Sequence, residues 1–160
     1  MSTPTPSNAL PSKDRLRLWL RLLKLTRGID AHLREKLRVE FATTLPRFDM
    51  LAALSRHPDG LKMSQLSGVL RVSNGNVTGI ADRLAEEGLV ERVPVPGDRR
   101  AMVLRLTRRG KTEFARQAQA HEAWIDTMLA DVSAEDARYM AGKLAAIAAA
   151  AETKENAHAQ

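Results

Sequence analysis

The sequence predicts a mainly α-helical chain with a small β-hairpin: a winged helix-turn-helix whose N- and C-terminal helices form a dimerisation region. Three observations predict it. Residues 63–70 and 74–84 are two short helical patterns joined by a tight turn at Arg71-Val72-Ser73, the layout of a helix-turn-helix. Residues 88–93 then alternate like a strand, residues 94–100 carry turn chemistry, and residues 101–107 return as a second strand. On either side lie apolar-rich stretches far longer than a strand.

The first of these spans residues 16–41. Its opening, from Arg15 to Arg21, alternates with period two, but Leu, Arg and Lys are strong helix formers. Leu18, Leu22, Leu25, Ile29 and Leu33 keep helical spacing, so the stretch is a long helix, with Pro11-Ser12-Lys13-Asp14 as its start. Leu16, Trp19, Leu20, Leu23 and Leu37 widen its apolar surface beyond what one core needs, which points to a second subunit. Thr44-Leu45-Pro46 opens the next helix, with proline suited to the first turn. Phe48, Met50, Leu51 and Leu54 form its core face, and His57-Pro58-Asp59-Gly60 ends it.

In the second helix of the motif, Val77, Ile80, Ala81 and Leu84 make one apolar face. The other carries Asn74, Thr78, Gly79 and Arg83, with Asn76 close by, and is short enough to approach a groove floor. Ser73 has the chemistry of its N-cap, and Gly88 that of a C-cap. After the hairpin, Thr107-Arg108-Arg109-Gly110 opens a long helix carrying Phe114, Ala118, His121, Trp124, Ile125, Met128 and Leu129. Ser133 to Asp136 resembles a capping box with Asp in the place of Glu. The last helix holds Tyr139, Met140, Leu144, Ile147 and an alanine run at 148–151, a pattern suited to a dimer seam. The expected organisation is a disordered 1–11, a dimerisation helix at 12–43, the winged lobe at 44–107, dimerisation helices at 108–152 and a flexible tail at 153–160.

A net charge of +6 and a pI near 10.2 favour an anionic partner, either nucleic acid or an anionic membrane surface. Cysteine is absent, which excludes disulfides and thiol sensing. His32, His57, His121 and His158 are scattered without metal-ligand spacing. No nucleophile–base pair or phosphate-cradling loop is visible, so neither catalytic residues, a metal nor a cofactor is expected. No secretory signal and no bilayer-length apolar run are seen, and a cytoplasmic location is expected.

A helix beside a basic hairpin suits duplex DNA: the helix enters a major groove while the hairpin puts arginine into the neighbouring minor groove. The candidate DNA-binding set is Ser73, Asn74, Asn76, Thr78, Arg83, Asp98, Arg99 and Arg100. Asn74 and Asn76 can donate and accept together at adenine, Thr78 can meet a thymine methyl or a phosphate, and Arg83 a guanine or the backbone. Arg99 suits a phosphate. The different-class alternative is a membrane-surface binder acting through the basic, leucine-rich residues 15–25.

Gly88-Leu89-Val90-x-Arg92, Asp98-x-Arg100 and Leu104-x-Leu106-Thr107-x-x-Gly110 resemble the MarR family of bacterial transcriptional regulators, over nearly the whole chain. The resemblance implies a homodimer on a pseudo-palindromic operator, with Asp98 orienting Arg100 for the minor groove and interlocking terminal helices. Residues 17–23, 44–49, 72–78 and 121–124 look similar to a subset that senses aromatic acids or their coenzyme A thioesters. That likeness implies a repressor of aromatic catabolism released by an aromatic carboxylate or aromatic acyl-CoA such as a hydroxycinnamoyl-CoA. Trp19, Leu23 and Phe48 would line the apolar end of its site, with His121 and Trp124 nearby, and Arg17, Arg21 or Arg38 would meet the carboxylate or phosphates. The alternative within the family is a regulator of stress or efflux genes responding to other small phenolics.

Overall fold

The computed structural model describes residues 11–70 and 74–158. Along them run α1 (Pro11–Phe41), α2 (Leu45–Ser55), α3 (Met63–Leu70), α4 (Asn74–Glu86), β1 (Val90–Val95), β2 (Asp98–Leu106), α5 (Arg108–Met128) and α6 (Ala134–His158). This is the mainly helical, hairpin-bearing architecture that the sequence predicts.

Helix α1 begins at Pro11, where the sequence offers a helix start. Its first turn carries Asp14 and its last Arg38, which complement the helix dipole. Only Leu33 and Leu37 of this helix are buried, while Leu16, Leu18, Trp19, Leu20 and Leu25 stay exposed. Thr44 caps α2, its hydroxyl accepting the N–H of Arg47 at 3.4 Å. The expected core face of α2 is buried as read: Phe48, Met50, Leu51 and Leu54.

Beyond α2, Gly60 takes φ +92°, where a Cβ would lie 2.8 Å from the carbonyl oxygen of Leu104. That close approach lets Leu61 pair with Leu104 as an antiparallel bridge, with bonds of 3.0 and 2.8 Å. Leu61 is thereby a third partner for the hairpin. The end of α4 is fixed similarly. Gly88 at φ +72° donates to the carbonyl of Ala85 at 3.0 Å, and Leu89 donates to that of Leu84 at 2.9 Å, a Schellman closure with two buried leucines on it.

The hairpin departs from expectation. Residues 94–100 are not a long turn: β1 runs to Val95, β2 starts at Asp98, and only Pro96 and Gly97 (φ +82°) lie between. The register is regular from Val90↔Leu106 to Pro94↔Met102, then breaks to Val95↔Asp98. Leu104 gives both backbone groups to Leu61, so by alternation Pro94 opposite Met102 is a non-bonded position where a missing N–H costs the ladder nothing; Arg99, Arg100 and Ala101 fall in the irregular stretch beyond it. Lower down, Glu91 and Arg105 are paired in register and their side chains meet at 2.8 Å.

One core joins α2, α3, α4 and the hairpin through Leu51, Leu54, Leu66, Val77, Leu84 and Leu104, and Phe114 of α5 packs against it. The chain divides into two compact units, 1–122 and 123–160, which part within α5. In the second unit, Ser133 caps α6, its hydroxyl accepting the N–H of Asp136 at 3.0 Å and donating to that carboxylate at 2.9 Å. Helix α6 runs to His158.

Candidate nucleic-acid interface

Helix α4 is divided sharply. Val77, Ala81 and Leu84 are fully buried, which presses one face into the core, and Asn76, Thr78, Gly79 and Arg83 are exposed on the rest. Asn74 is its first residue, and Ser73, the expected N-cap, lies outside the described residues. Asp82 accepts a bond from Arg92 of β1 at 2.6 Å, which ties the outer side of α4 to the root of the hairpin. The arginine of the Gly-Leu-Val-x-Arg pattern is therefore a surface tie within the lobe. As a half-exposed pair it adds little stability; the buried core that α4 shares with the hairpin holds the two together.

Asp98, Arg99 and Arg100 are all exposed on β2. The Asp98 carboxylate accepts the backbone N–H of Arg100 at 3.0 Å, so it organises the main chain beneath the arginine rather than gripping the guanidinium. Among the described residues, no carboxylate is paired with the side chain of Arg99 or Arg100. Two guanidinium groups thus stand at the tip of a hairpin whose base is buried, close in sequence to a helix with a polar outer face. Such an arrangement can neutralise phosphates and fill a narrow groove.

The last motif has a structural explanation that sequence reasoning missed. The Thr107 hydroxyl donates to the carbonyl of Gly88 at 2.6 Å and accepts the N–H of Gly110 at 3.0 Å. It caps α5 and fastens that helix to the end of α4 at once. A Cβ at position 110 would sit 1.8 Å from the carbonyl oxygen of Leu89, so only glycine admits this contact. The Thr-x-x-Gly spacing after a strand was the available signal.

Of the residues expected around an effector, the structure brings two together. Phe48 and His121 stack with centroids 4.7 Å apart and 19° between planes, and Phe114 lies 5.7 Å from Phe48. They wall a cavity of about 470 Å³ with Asp49, Arg56 and Ala118. Burial holds the His121 imidazole below its ordinary pKa, against the pull of Asp49. Burial, and after it the charge of Asp30, pushes the Asp49 carboxyl up. The α1 residues do not wall this cavity. Arg17 is paired with Asp14 at 2.9 Å, Arg38 with Glu35 at 2.7 Å, Arg21 is exposed, Trp19 is 56% exposed and Leu23 half-buried. Trp124 is half-buried in the second unit. Among the described residues no cluster of three His, Asp or Glu could hold a metal, and no helix is long and apolar enough to cross a membrane.

Known proteins bear on this geometry. A family model described as MarR family matches residues 43–101, from the loop before α2 to the hairpin tip. The HTH-type transcriptional repressor MdtR of Bacillus subtilis is 31% identical over 85% of this chain and 86% of its own length. The chain belongs to the MarR family. Membership makes it a MarR-type transcriptional regulator with the winged helix-turn-helix of that family. The chain also spans 65% of the length of the HTH-type transcriptional regulator PecS of Dickeya dadantii, at 29% identity over 66% of its own residues. A crystal structure of a MarR family transcriptional regulator from Silicibacter pomeroyi superposes with a TM-score of 0.72 at 33% identity, covering 89% of this chain and 99% of that one.

Proposed function

We propose that this MarR-family chain is a homodimeric repressor that reads a pseudo-palindromic operator and is released by an aromatic carboxylate or aromatic acyl-CoA. The observation that carries the DNA reading is α4 and the hairpin taken together. One helix face is locked into the core, its outer face shows Asn76, Thr78 and Arg83, and Arg99 and Arg100 stand at the wing tip without a carboxylate partner among the described residues. Asn74, the first residue of α4, and Ser73, by its place in the sequence alone, are assigned to the same interface. Repression follows the naming of the Bacillus relative as a repressor. Dimerisation is supported by the uncovered apolar faces of α1 and α6.

For the effector, the Phe48–His121 stack and the cavity beside it offer an aromatic wall with Arg56 as a cation for a carboxylate. Trp19, Leu23, Trp124 and the arginines of α1 enter this reading only by resemblance; a coenzyme A thioester would need such cations for its phosphates.

Gel-shift titration against the promoter of its own gene or a neighbour, with random duplex as competitor, tests the DNA reading. Binding should be specific and should weaken steeply as salt rises, because phosphate neutralisation releases counterions. Arg100→Ala should weaken it by about 1–3 kcal/mol, roughly tenfold to a hundredfold, with no change in thermal stability. Equal affinity for operator and random DNA, or an unaffected Arg100→Ala variant, would remove the wing from the reading surface.

A further inference from the structure

The first unit holds another cavity, of about 320 Å³, lined by other residues of α5 than those at the Phe48–His121 stack. It lies between the end of α1, the first turn of α2, the end of α4 and the opening turns of α5. We propose that it is a second small-molecule site, and that it takes a small carboxylate that also carries a hydroxyl group.

Two buried polar atoms in its wall have no partner among the described residues: Nε of Arg47 and Oε1 of Gln117. Gln117 is only 3% exposed, and its amide nitrogen donates to Glu113 at 2.9 Å. That bond fixes the amide, because the flipped form would set its oxygen against a carboxylate. The carbonyl oxygen is thus a committed acceptor with nothing to accept. Arg47 spends its terminal nitrogen on Glu87 and keeps Nε as a buried donor.

The charges around the cavity are unevenly committed. Glu87 is bonded to Arg47, and Glu113 to Arg116 and Gln117; the Arg116 bond first, then that of Gln117, hold the Glu113 carboxyl low against the effect of burial. Arg109, also in the wall, is hydrogen-bonded to no carboxylate among the described residues, and its charge adds only the last and smallest of the effects that lower Glu113. What is left over is two cationic donors and one neutral acceptor. A carboxylate answers Arg47 and Arg109, a hydroxyl answers Gln117, and the carbon skeleton meets Leu51, Leu84 and Leu89. The volume is at the low end for ligand pockets, which suits a compact acid. Glu87 follows the last turn of α4, so a carboxylate sharing Arg47 with Glu87 would be felt at the end of that helix.

This site is separate from the effector cavity proposed above, and direct binding reads it without DNA. The probe is 4-hydroxybenzoate, titrated by calorimetry into the full chain, with benzoate and 4-hydroxybenzyl alcohol as analogues lacking one group each. Saturable binding is expected, at least about tenfold weaker for either analogue, since a site built to bond a group rejects the molecule that lacks it. Gln117→Leu should weaken 4-hydroxybenzoate by a similar factor, and Thr112→Phe, from an exposed position in the wall, should block it. Circular dichroism checks folding, and if Gln117→Leu does not fold, Thr112→Phe decides. Absence of saturable binding by the wild type overturns the proposal. So does binding lost in His121→Ala but kept in both cavity variants, which would place the acid at the aromatic stack and leave the effector reading standing. A crystal soaked in the probe that shows only ordered water on Arg47 and Gln117 overturns it as well.

Discussion

A methyl group added at Gly110 would sit 1.8 Å from the carbonyl oxygen of Leu89, well inside any permitted contact. The obstacle is backbone, not the end of a flexible side chain, so α5 or the start of the hairpin would have to move. Alanine is preferred to glycine in a helix by about 1 kcal/mol. Overpacking a tight contact costs about 1–3 kcal/mol and more when main chain must shift, so the clash outweighs the propensity. Gly110→Ala should therefore lower stability by about 3 kcal/mol or more, or roughly 6–12 °C in a thermal melt for a chain of this size. An unchanged melting temperature would mean that α5 does not close onto Leu89. Thr107 belongs to the same knot, since its hydroxyl serves Gly88 and Gly110 together.

Between elements, what could be read from the sequence depended on whether the deciding contact was local. Helices α3 and α4 were legible because Leu66, Val77, Ala81 and Leu84 carry the helical period themselves, and α1 because its leucines outlast the misleading period-two opening. The hairpin tip was not. The break that leaves Arg99, Arg100 and Ala101 without regular partners is a matter of cross-strand register, which spacing alone does not show. The Leu61–Leu104 bridge and the Arg47–Glu87 pair join residues about forty apart, beyond any local pattern. Nor could the sequence show that Phe48 and His121 would meet while Arg17 and Arg38 paired within their own helix. The junction of α2 and α5 at that stack carries a pH dependence. Burial lowers the His121 pKa, so the folded chain binds fewer protons there than the unfolded one. The stability this gives is complete above the ordinary value of 6.5 and is lost as pH falls through it toward the folded value. Asp49 acts oppositely: its raised pKa favours the folded state on acidification, but in the lower carboxylate range. Melting temperature should therefore fall between about pH 8 and about pH 5.5, a window around the histidine pKa. In His121→Phe, which keeps a ring against Phe48, it should fall less. Parallel curves for the two proteins would show that the imidazole is equally solvated in both states.

For the whole molecule, the unused apolar surface is the strongest constraint. Leu16, Leu18, Trp19 and Leu20 near the start of α1, and Tyr139, Met140, Leu144 and Ile147 on α6, are all between 43% and 65% exposed. So much large apolar side chain is unfavourable in a chain that stays single, and at about 25 cal/mol per Å² its burial drives association. A dimer also suits the reading of DNA, because one lobe recognises one half-site and two held at fixed spacing bind an operator as a unit. Joining two binding events in this way can raise affinity by about 10²–10⁴ without any new contact to DNA. Replacing Leu144 and Ile147 together by Glu should cost the single chain little, since both are exposed in it. It should turn a dimer into a monomer by sedimentation equilibrium and lower operator affinity by about a hundredfold or more, with the residual binding close to that for random duplex. A double variant that remains dimeric and binds as before would put the subunit contact elsewhere. One that becomes monomeric yet keeps full operator affinity would show that a single lobe is enough for recognition.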